Sequence, residues 1–491
     1  MSTVVETLLA GHTSSGQIFS NGWVDAPSTI DVIEPATGEA IGSAGVGDPA
    51  AVARACSAAA DAQTRWAATS PAERAAILER AAEVLAEHQP ELESWIIRES
   101  GSAQPKAEIE IRQSIAHLRA SAALVLAEPL EQELPTAFPG RESTARRVPL
   151  GVVAVITPWN FPVILSMRFV APALAFGNAI VLKSDPETPI VGGVLFARVF
   201  EEAGLPDGLL HVMAGGAEVG QALAADPNVA MVAFTGSTAA GRAVGETAGR
   251  TLKRTALELG GNSPLIVLAD ADVELASSAG AFGSFLHQGQ ICMATSRHLV
   301  HEDIVDAYVE ALAVRANRLP IGDPATEHVA LGPIINQRQL ERIQRLVDES
   351  VAAGATLVAG GTANAPFYPP TVLRDVTPAM AAYTEEIFGP VAAITTFRTD
   401  EEAIELANGT GYGLAAAVQS GSQQHADAIA ARLHAGMVHV NDQTVNEEDQ
   451  APFGGFGSSG NGSFCGGVAN LDAFTKWQWS TTRAAAAPFP F

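Results

Sequence analysis

Three polar side chains in this chain have the types needed for covalent chemistry at a carbonyl carbon, and the first is the thiol of Cys292. A lone cysteine is more often an inert core residue, and that alternative stays open for Cys292 when it is taken singly. However, Gly289 and the polar residues beside it predict an exposed loop. In such a loop, backbone amides can stabilise a thiolate or a developing oxyanion.

A carboxylate and an amide could complete such a site. Glu258 stands between Leu257 and Leu259. Burial there would raise its pKa, as a general base requires, whereas the alternative is a glutamate on an exposed helix face. Asn160 follows an apolar run and could donate to an oxyanion, although an asparagine in an ordinary turn is the alternative.

A glycine-rich turn runs from Gly236 to Gly241, between a predicted strand and a predicted helix. Turns of this kind let backbone N–H groups and a helix N-terminus approach an anionic pyrophosphate. The spacing is not the usual GxGxxG, so taken alone it is as compatible with a structural turn as with a nucleotide site.

Buried strands alternating with helices would position these residues. Residues 1–45 predict strands and turns, residues 49–127 predict helices, and residues 128–149 predict a projecting hairpin. Apolar runs then predict parallel strands separated by helices, which is typical of a doubly wound α/β sheet. The same alternation resumes at residue 263 and continues to about residue 440, followed by a loop over 454–467. The predicted strands lie at 152–156, 179–182, 209–213, 229–234, 263–267 and 474–479.

Composition narrows the functional classes. The 491 residues carry a net charge of −25, which disfavours nucleic acid and anionic membrane surfaces as partners. The three cysteines are far apart, so we expect neither a disulfide framework nor a metal site. No lysine or arginine precedes Arg54, and the longest apolar stretch, 169–182, is interrupted and too short to span a bilayer. We therefore expect a cytoplasmic enzyme.

Taken together and in order, seven segments resemble the aldehyde dehydrogenase superfamily along nearly the whole chain. They are TPWNFP at 157–162, Lys183 after AIVL, FTGST at 234–238, LELGGNSP at 257–264, GQIC at 289–292, EEIFGP at 385–390 and PFGG at 452–455.

The resemblance implies an α/β fold with a Rossmann-type cofactor domain, a second α/β catalytic domain and a small oligomerisation element. We expect residues 1–127 and 150–260 to form the dinucleotide-binding domain and residues 261–457 the catalytic domain. Residues 128–149 and 468–491 would form the oligomerisation element of a homodimer or homotetramer.

The resemblance also implies roles for individual residues. Cys292 would attack the aldehyde carbon, Asn160 would help bind the oxyanion, and Glu258 would activate the water that hydrolyses the thioester. The cofactor NAD would be held by residues of several segments: Pro158, Trp159, Lys183, Ser184, Gly236, Ser237, Glu386 and Phe388.

The chain departs from many family members after Lys183. It places Pro186 where those members have a glutamate that accepts from the adenosine ribose. Without that carboxylate, repulsion of a 2′-phosphate would be weaker, and Lys183 and Ser184 could help bind it. We therefore expect NAD to work and NADP to be tolerated.

The substrate tunnel is predicted to be apolar with one cation. Asn160, Ile164 and Arg168 are four residues apart and so share a helix face. Phe161, Met293 and Phe453 are the other candidate lining residues. Residues 166–189 and 441–446 resemble the benzaldehyde and vanillin dehydrogenase branch, which favours an aromatic aldehyde substrate.

Alternatives remain open. Arg168 could bind the distal carboxylate of succinate semialdehyde, or it could simply pair with an acidic neighbour. A general aliphatic aldehyde dehydrogenase is a further alternative. A CoA-acylating relative is disfavoured because Glu258 is present, and a catalytically silent homologue because Cys292 is present as well.

Overall fold

The computed structural model describes residues 7–489. Residues 1–6 and 490–491, which begin and end the predicted domains, lie outside this range. The strands are β1 Gln17–Ser20, β2 Trp23–Asp25, β3 Ser28–Ile33, β4 Ala40–Val46, β5 Glu131–Glu133, β6 Arg141–Pro149, β7 Val152–Ile156, β8 Ala179–Ser184, β9 Leu210–Ala214, β10 Val229–Thr235, β11 Arg254–Glu258, β12 Ser263–Val267, β13 Thr295–His301, β14 Thr356–Ala359, β15 Thr371–Arg374, β16 Val391–Phe397, β17 Ala415–Gln419, β18 Met437–Val440 and β19 Thr475–Arg483.

The helices fill the intervals between strands. They are α1 Pro49–Ala67, α2 Pro71–Glu87, α3 Gln89–Ser100, α4 Gln104–Ala127, α5 Pro162–Ala175, α6 Leu195–Glu202, α7 Ala217–Ala225, α8 Thr238–Arg250, α9 Val273–Phe285, α10 Val305–Arg318, α11 Gln337–Ala352, α12 Ala381–Thr384, α13 Asp400–Asn408, α14 Gln423–Ala430 and α15 Ala469–Phe474, with a π-helical turn at Ile190–Val194 and 3₁₀ turns at Leu286–Gly289 and Gly457–Ser459.

The first sheet has the parallel order β11-β10-β7-β8-β9, extended by the antiparallel β1 and β2. Its strands β7 to β10 are predicted by the sequence, whereas β11 is not. Both of its faces are covered, which explains why β7 is buried at every position. Val153 and Val155 face the core formed with α2, α4 and α5, whereas Val152, Ala154 and Ile156 face the core formed with α1. The predicted doubly wound arrangement is confirmed.

The second sheet has the order β14-β15-β16-β13-β12-β17-β18 and is parallel except for the β14–β15 pair. Its β12 begins and ends where the sequence predicts, and its two faces contact separate apolar clusters. A second α/β unit is therefore present, and its catalytic role stays a prediction.

A third, antiparallel sheet joins the predicted hairpin to the terminal strand in the order β19-β6-β5. β19 lies at the edge, and Trp477 and Trp479 are 52% and 66% exposed. The hairpin and the strand are confirmed as elements. Their use in oligomerisation stays a prediction.

Residues 7–489 contain neither a candidate membrane-spanning helix nor a candidate metal-binding cluster. No helix in that range is long and apolar enough to cross a membrane. The same range contains no group of three or more histidine, cysteine, aspartate or glutamate side chains placed to hold a metal ion.

Candidate active site

The Cys292 loop is an irregular connection between α9 and β13. His287, Gln288 and Gly289 all have positive φ angles, of 48°, 55° and 66°. The side-chain amide of Gln288 donates to the carbonyls of Gly101 (3.0 Å) and Pro333 (2.9 Å), which fastens the strained turn to both neighbouring segments.

The prediction of an exposed loop is wrong for most of this segment. The polar residues flanking the thiol are buried because their side chains bond backbone groups of the interior, and Gln290 Oε1 accepts from the Ile335 N–H at 3.1 Å. Cys292 itself remains half-buried and is not disulfide-bonded. The loop therefore presents one thiol from a rigid, buried support.

Asn160 lies between the end of β7 and the start of α5. It is 3% exposed, and its Nδ2 donates to the Gln290 carbonyl at 2.9 Å. This bond joins the first α/β unit to the loop that carries the thiol. The turn-asparagine alternative does not describe a side chain that reaches across the molecule in this way.

Glu258 is the last residue of β11 and is 2% exposed, so the exposed-helix alternative is wrong. Neither carboxylate oxygen has a hydrogen-bond partner among the described residues. Burial raises the pKa of Glu258 well above that of an ordinary carboxyl, and the positive charge of Arg168 only partly opposes this. A buried, unpaired carboxylate with a raised pKa is suited to act as a base.

The thiol and the carboxylate belong to one electrostatic environment. Burial raises the pKa of Cys292 to about 12, Arg168 lowers it, and the carboxylates of Glu386, Glu258 and Glu447 raise it further. β7 and β11 bring Asn160 and Glu258 to the same edge of the first sheet, because the carboxyl ends of parallel strands lie together. The second unit supplies the thiol to that edge.

Lys183 is the penultimate residue of β8, beside the same edge, and is 6% exposed. Its Nζ donates to the carbonyls of Ser184 (3.0 Å) and Gly215 (2.5 Å), so one of its three donors remains available for a ribose hydroxyl. Gly236 and Ser237 lead into α8, and the Ser237 side chain caps that helix by accepting from the Ala240 N–H at 3.3 Å. The exposed N-terminus of this 13-residue helix suits a pyrophosphate.

Ser184 lies elsewhere. Its side chain is fully buried, and its hydroxyl packs against Gly193 in the π-helical turn. Successive side chains of a strand point to opposite faces, so Ser184 faces away from Lys183. The role of Ser184 in binding a 2′-phosphate stays a prediction.

The remaining cofactor candidates cluster around two contacts. The rings of Trp159 and Phe388 meet edge to face, with their centroids 5.5 Å apart. Pro158 directly precedes Trp159 in the chain. Glu386 Oε1 accepts from the Gly261 N–H at 2.9 Å, and burial raises the pKa of Glu386 to about 7. These residues suit a nicotinamide ribose and ring.

The predicted substrate residues form an apolar wall beside the thiol. Met293 and Phe453 are buried in one cluster, and Phe161 and Cys292 pack against it half-buried. Ile164 is 2% exposed on α5. The apolar cluster against which Cys292 packs thus includes the ring of Phe453, and the ring of Phe161 packs against the same cluster.

Arg168 is 1% exposed and is not a free cation. Its Nη2 lies 2.6 Å from Glu447 Oε1, and its guanidinium stacks on the Phe453 ring at 3.7 Å. The alternative that Arg168 pairs with an acidic neighbour is confirmed. Glu447 immediately follows the segment 441–446, which resembles the benzaldehyde and vanillin dehydrogenase branch. No spacing rule indicates that Glu447 would reach α5.

Sequence reasoning also missed a buried ion pair behind the site. Lys106 Nζ lies 2.6 Å from Glu110 Oε2, and both side chains are at most 1% exposed. Glu110 Oε1 accepts from the N–H groups of Val163 (2.7 Å) and Ile164 (3.3 Å), so it caps α5. The spacing of four residues between Lys106 and Glu110 on a helix is the sequence signal that could have indicated this pair.

The chain is similar to known proteins in both sequence and fold. The sequence pattern of the aldehyde dehydrogenase family matches residues 23–480. The chain is 52% identical to vanillin dehydrogenase from an Amycolatopsis species and 48% identical to an NAD(+) benzaldehyde dehydrogenase from Pseudomonas putida, covering 97% of this chain and 98% of each relative. A solved structure of salicylaldehyde dehydrogenase from Pseudomonas putida G7, complexed with salicylaldehyde, superposes with a TM-score of 0.93 at 33% identity, covering 97% of this chain and 99% of that one.

The thiol of Cys292, the buried carboxylate of Glu258 and the amide of Asn160 lie at the carboxyl edge of the first sheet. With these matches over nearly the whole chain, the protein belongs to the aldehyde dehydrogenase family.

Proposed function

We propose that the protein oxidises an aromatic aldehyde to the corresponding carboxylic acid with NAD. The observation that carries the proposal is the position of Cys292, which packs half-buried against the apolar cluster that contains Met293 and Phe453. In the same site, the Glu258 carboxylate has no hydrogen-bond partner among residues 7–489. The names of the vanillin and benzaldehyde dehydrogenases that resemble the chain support the aromatic class.

The site residues divide the reaction between them. The Cys292 sulfur bonds to the aldehyde carbon, and the Asn160 amide and the Cys292 N–H stabilise the resulting oxyanion. Lys183, the α8 N-terminus and Glu386 would hold NAD, which would supply the hydride acceptor. Glu258 then takes a proton from water, whose oxygen displaces the sulfur from the thioester and leaves the acid.

Charge favours a neutral substrate over succinate semialdehyde. Arg168 is already paired with Glu447, and Glu258 adds a second carboxylate nearby. A distal carboxylate on the substrate would therefore have to share Arg168 with Glu447. An aromatic ring, in contrast, matches Phe161 and Phe453.

Cofactor range, assembly and location complete the proposal. NAD is the cofactor and NADP is tolerated, since Pro186 replaces the carboxylate that would repel a 2′-phosphate. The chain forms a homodimer or homotetramer, supported by the exposed edge strand β19. The cytoplasm is the compartment expected from the sequence.

Turnover of a substrate panel tests the function. Benzaldehyde, vanillin, succinate semialdehyde and an aliphatic aldehyde are compared by kcat/KM with NAD and with NADP, with and without CoA. We expect the two aromatic substrates to give the highest values and CoA to have no effect. Strong activity on succinate semialdehyde alone would exclude the aromatic class. If none of the substrates is oxidised in a reaction that requires Cys292, the protein is a catalytically silent homologue.

A further inference from the structure

The backbone directly after Cys292 is held by a side chain from a distant segment. Cys292 and Met293 are the central residues of a turn closed by the Ala294 N–H, which donates to the Ile291 carbonyl at 3.0 Å. The Met293 carbonyl accepts from the hydroxyl of Thr444 at 2.6 Å, and Thr444 is fully buried. The two partners are 151 positions apart, so this bond fastens the turn to a segment far from it in the sequence.

The Thr444 hydroxyl belongs to a buried chain of hydrogen bonds that has one direction. Because Thr444 uses its single hydrogen on the Met293 carbonyl, the Thr295 hydroxyl must donate to Thr444 across their 2.8 Å contact. The Thr295 carbonyl in turn accepts from the Ser284 hydroxyl at 2.7 Å. Thr295 and Ser284 are at most 1% exposed, so water does not compete for these bonds.

His298 and Tyr308 anchor this chain in β13 and α10. Ser284 already donates to the Thr295 carbonyl, so its oxygen accepts from His298 Nε2 at 2.8 Å. The other ring nitrogen, Nδ1, then accepts from the Tyr308 hydroxyl at 2.7 Å. Burial lowers the pKa of His298 to about 3, which agrees with a neutral ring that donates at one nitrogen and accepts at the other. Every donor in the network therefore has an acceptor, which makes the network rigid.

The segment that carries Thr444 is also held beyond that residue. Val445 packs, half-buried, against the same apolar cluster as Cys292. Two residues further on, Glu447 Oε1 lies 2.6 Å from Arg168 Nη2 on α5. Thr444 is therefore fixed both by its own hydrogen bonds and by the residues that follow it.

We propose that Thr444 is a positioning residue that holds the Cys292 turn in the geometry needed for attack on the aldehyde. Asn160 holds the Gln290 carbonyl before the turn at 2.9 Å, and Thr444 holds the Met293 carbonyl within it. The backbone of the nucleophile thus lies between two fixed points. This inference rests on the proposed function in that Cys292 is the nucleophile. Thr444 acts through the backbone and does not need to contact the substrate.

The test is the rate of thioester formation in a single turnover, followed by the absorbance of the reduced cofactor. Thr444→Val keeps the branched shape of the side chain but leaves the Met293 carbonyl without its donor. A shift of about 1 Å in a catalytic group can cost about 10²-fold, so the rate should fall by about 10- to 100-fold. The aldehyde concentration that gives half the maximal rate should change by a much smaller factor. Thr444→Ser keeps the hydroxyl and should restore most of the rate.

Thr395→Val is the matched control, because Thr395 makes the same kind of bond away from the site. Its hydroxyl donates to the Val376 carbonyl at 2.8 Å, and its side chain is 6% exposed. This control should lower the urea midpoint about as much as Thr444→Val does and leave the rate of thioester formation unchanged. An equal loss of rate in the control, or no recovery in Thr444→Ser, would overturn the proposal.

A second variant covers the case in which Thr444→Val does not fold. Thr295→Val removes the donor that directs the Thr444 hydroxyl toward the Met293 carbonyl, so it should lower the rate in the same direction. The wild-type rate in folded Thr444→Val, or in folded Thr295→Val where the first variant does not fold, would refute the role of Thr444.

Hydrogen–deuterium exchange measures the turn without any aldehyde and so separates this inference from the proposed function. Thr444→Val should speed exchange in the peptide that contains residues 288–294, whereas Thr444→Ser and Thr395→Val should leave it unchanged. If exchange is faster but the wild-type protein oxidises no aldehyde, the proposed function fails and the holding of the turn by Thr444 stands. If aldehydes are oxidised and Thr444→Val changes neither exchange nor rate, the inference fails and the proposed function stands.

Discussion

The backbone carbonyl of Cys292 packs against Gly261 so closely that a β-carbon at position 261 would overlap its oxygen. Gly261 also donates its N–H to Glu386 Oε1 at 2.9 Å. One residue without a side chain therefore fixes both the loop that carries the thiol and a carboxylate of the proposed cofactor site.

Gly261→Ala should displace the Cys292 loop, because the overlapped atom belongs to the backbone and cannot rotate away. A shift of about 1 Å in a catalytic group can cost about 10²-fold, and we expect kcat/KM to fall by that order. Gly249→Ala is the control, since a β-carbon there meets no atom within 4 Å. Equal activity of the two variants would contradict the role of Gly261.

Glu258→Gln should slow hydrolysis of the thioester more than its formation. Loss of a general base costs about 10²–10⁴-fold, so acyl-enzyme should accumulate and be detected by intact-protein mass spectrometry after mixing with aldehyde and NAD. A variant that turns over at the wild-type rate would exclude Glu258 as the base.

The pH profile gives a second measure of Glu258. A base acts in its ionised form, and burial raises the pKa of Glu258 above the ordinary carboxyl range. Wild-type kcat should therefore increase as the pH rises above that range, and Glu258→Gln should lose this dependence. The same pH dependence in both proteins would point to another titrating group.

Glu218 should disfavour NADP binding by repelling the 2′-phosphate. In many family members this repulsion comes from the carboxylate that Pro186 replaces here. Its side chain lies beside Gly216 and acts electrostatically on Lys183, so it borders the proposed ribose site. An exposed charge interaction is worth up to about 1 kcal/mol, so Glu218→Gln should tighten NADP binding up to about fivefold and leave NAD nearly unchanged. Calorimetric titration measures both, with Glu246→Gln as control, and equal effects on the two cofactors would refute the assignment.

Lys106→Met should destabilise the fold, because Glu110 would remain buried without its counter-charge at the start of α5. Removing one partner of a buried pair costs about 3–5 kcal/mol, which urea denaturation measures. The exposed pair Arg250–Glu246 provides the control, where Arg250→Met should cost at most about 0.5 kcal/mol. Lys106→Met/Glu110→Gln should recover part of the loss, and a single variant as stable as wild type would contradict the argument.

Trp479→Asp should weaken self-association if β19 forms a subunit interface. The indole is 66% exposed at the edge of the third sheet, and a charge there is costly to bury. Light scattering should give a multiple of 50.8 kDa for wild type and a smaller assembly for the variant. Leu252→Asp, at a 94% exposed turn leucine, serves as control. An unchanged mass for Trp479→Asp would place the interface elsewhere.

The sequence by itself determined the local elements and the identities of the reacting groups. Apolar runs such as Val152–Ile156 are fully buried strands because a parallel sheet covered on both faces leaves them no polar side. Cys292, Glu258 and Asn160 were recognisable because their chemical types and neighbouring motifs are local properties of the chain.

Only the tertiary structure decided how distant residues meet. Gln288 holds the thiol loop through Gly101 and Pro333, and Glu447 reaches Arg168 across 279 positions of sequence. The Ser184 side chain points into the interior because of the face of β8 on which it lies. Such contacts depend on how segments far apart in the sequence pack together. Burial by that packing also shifts the pKa values of Cys292 and Glu258, which no sequence pattern specifies.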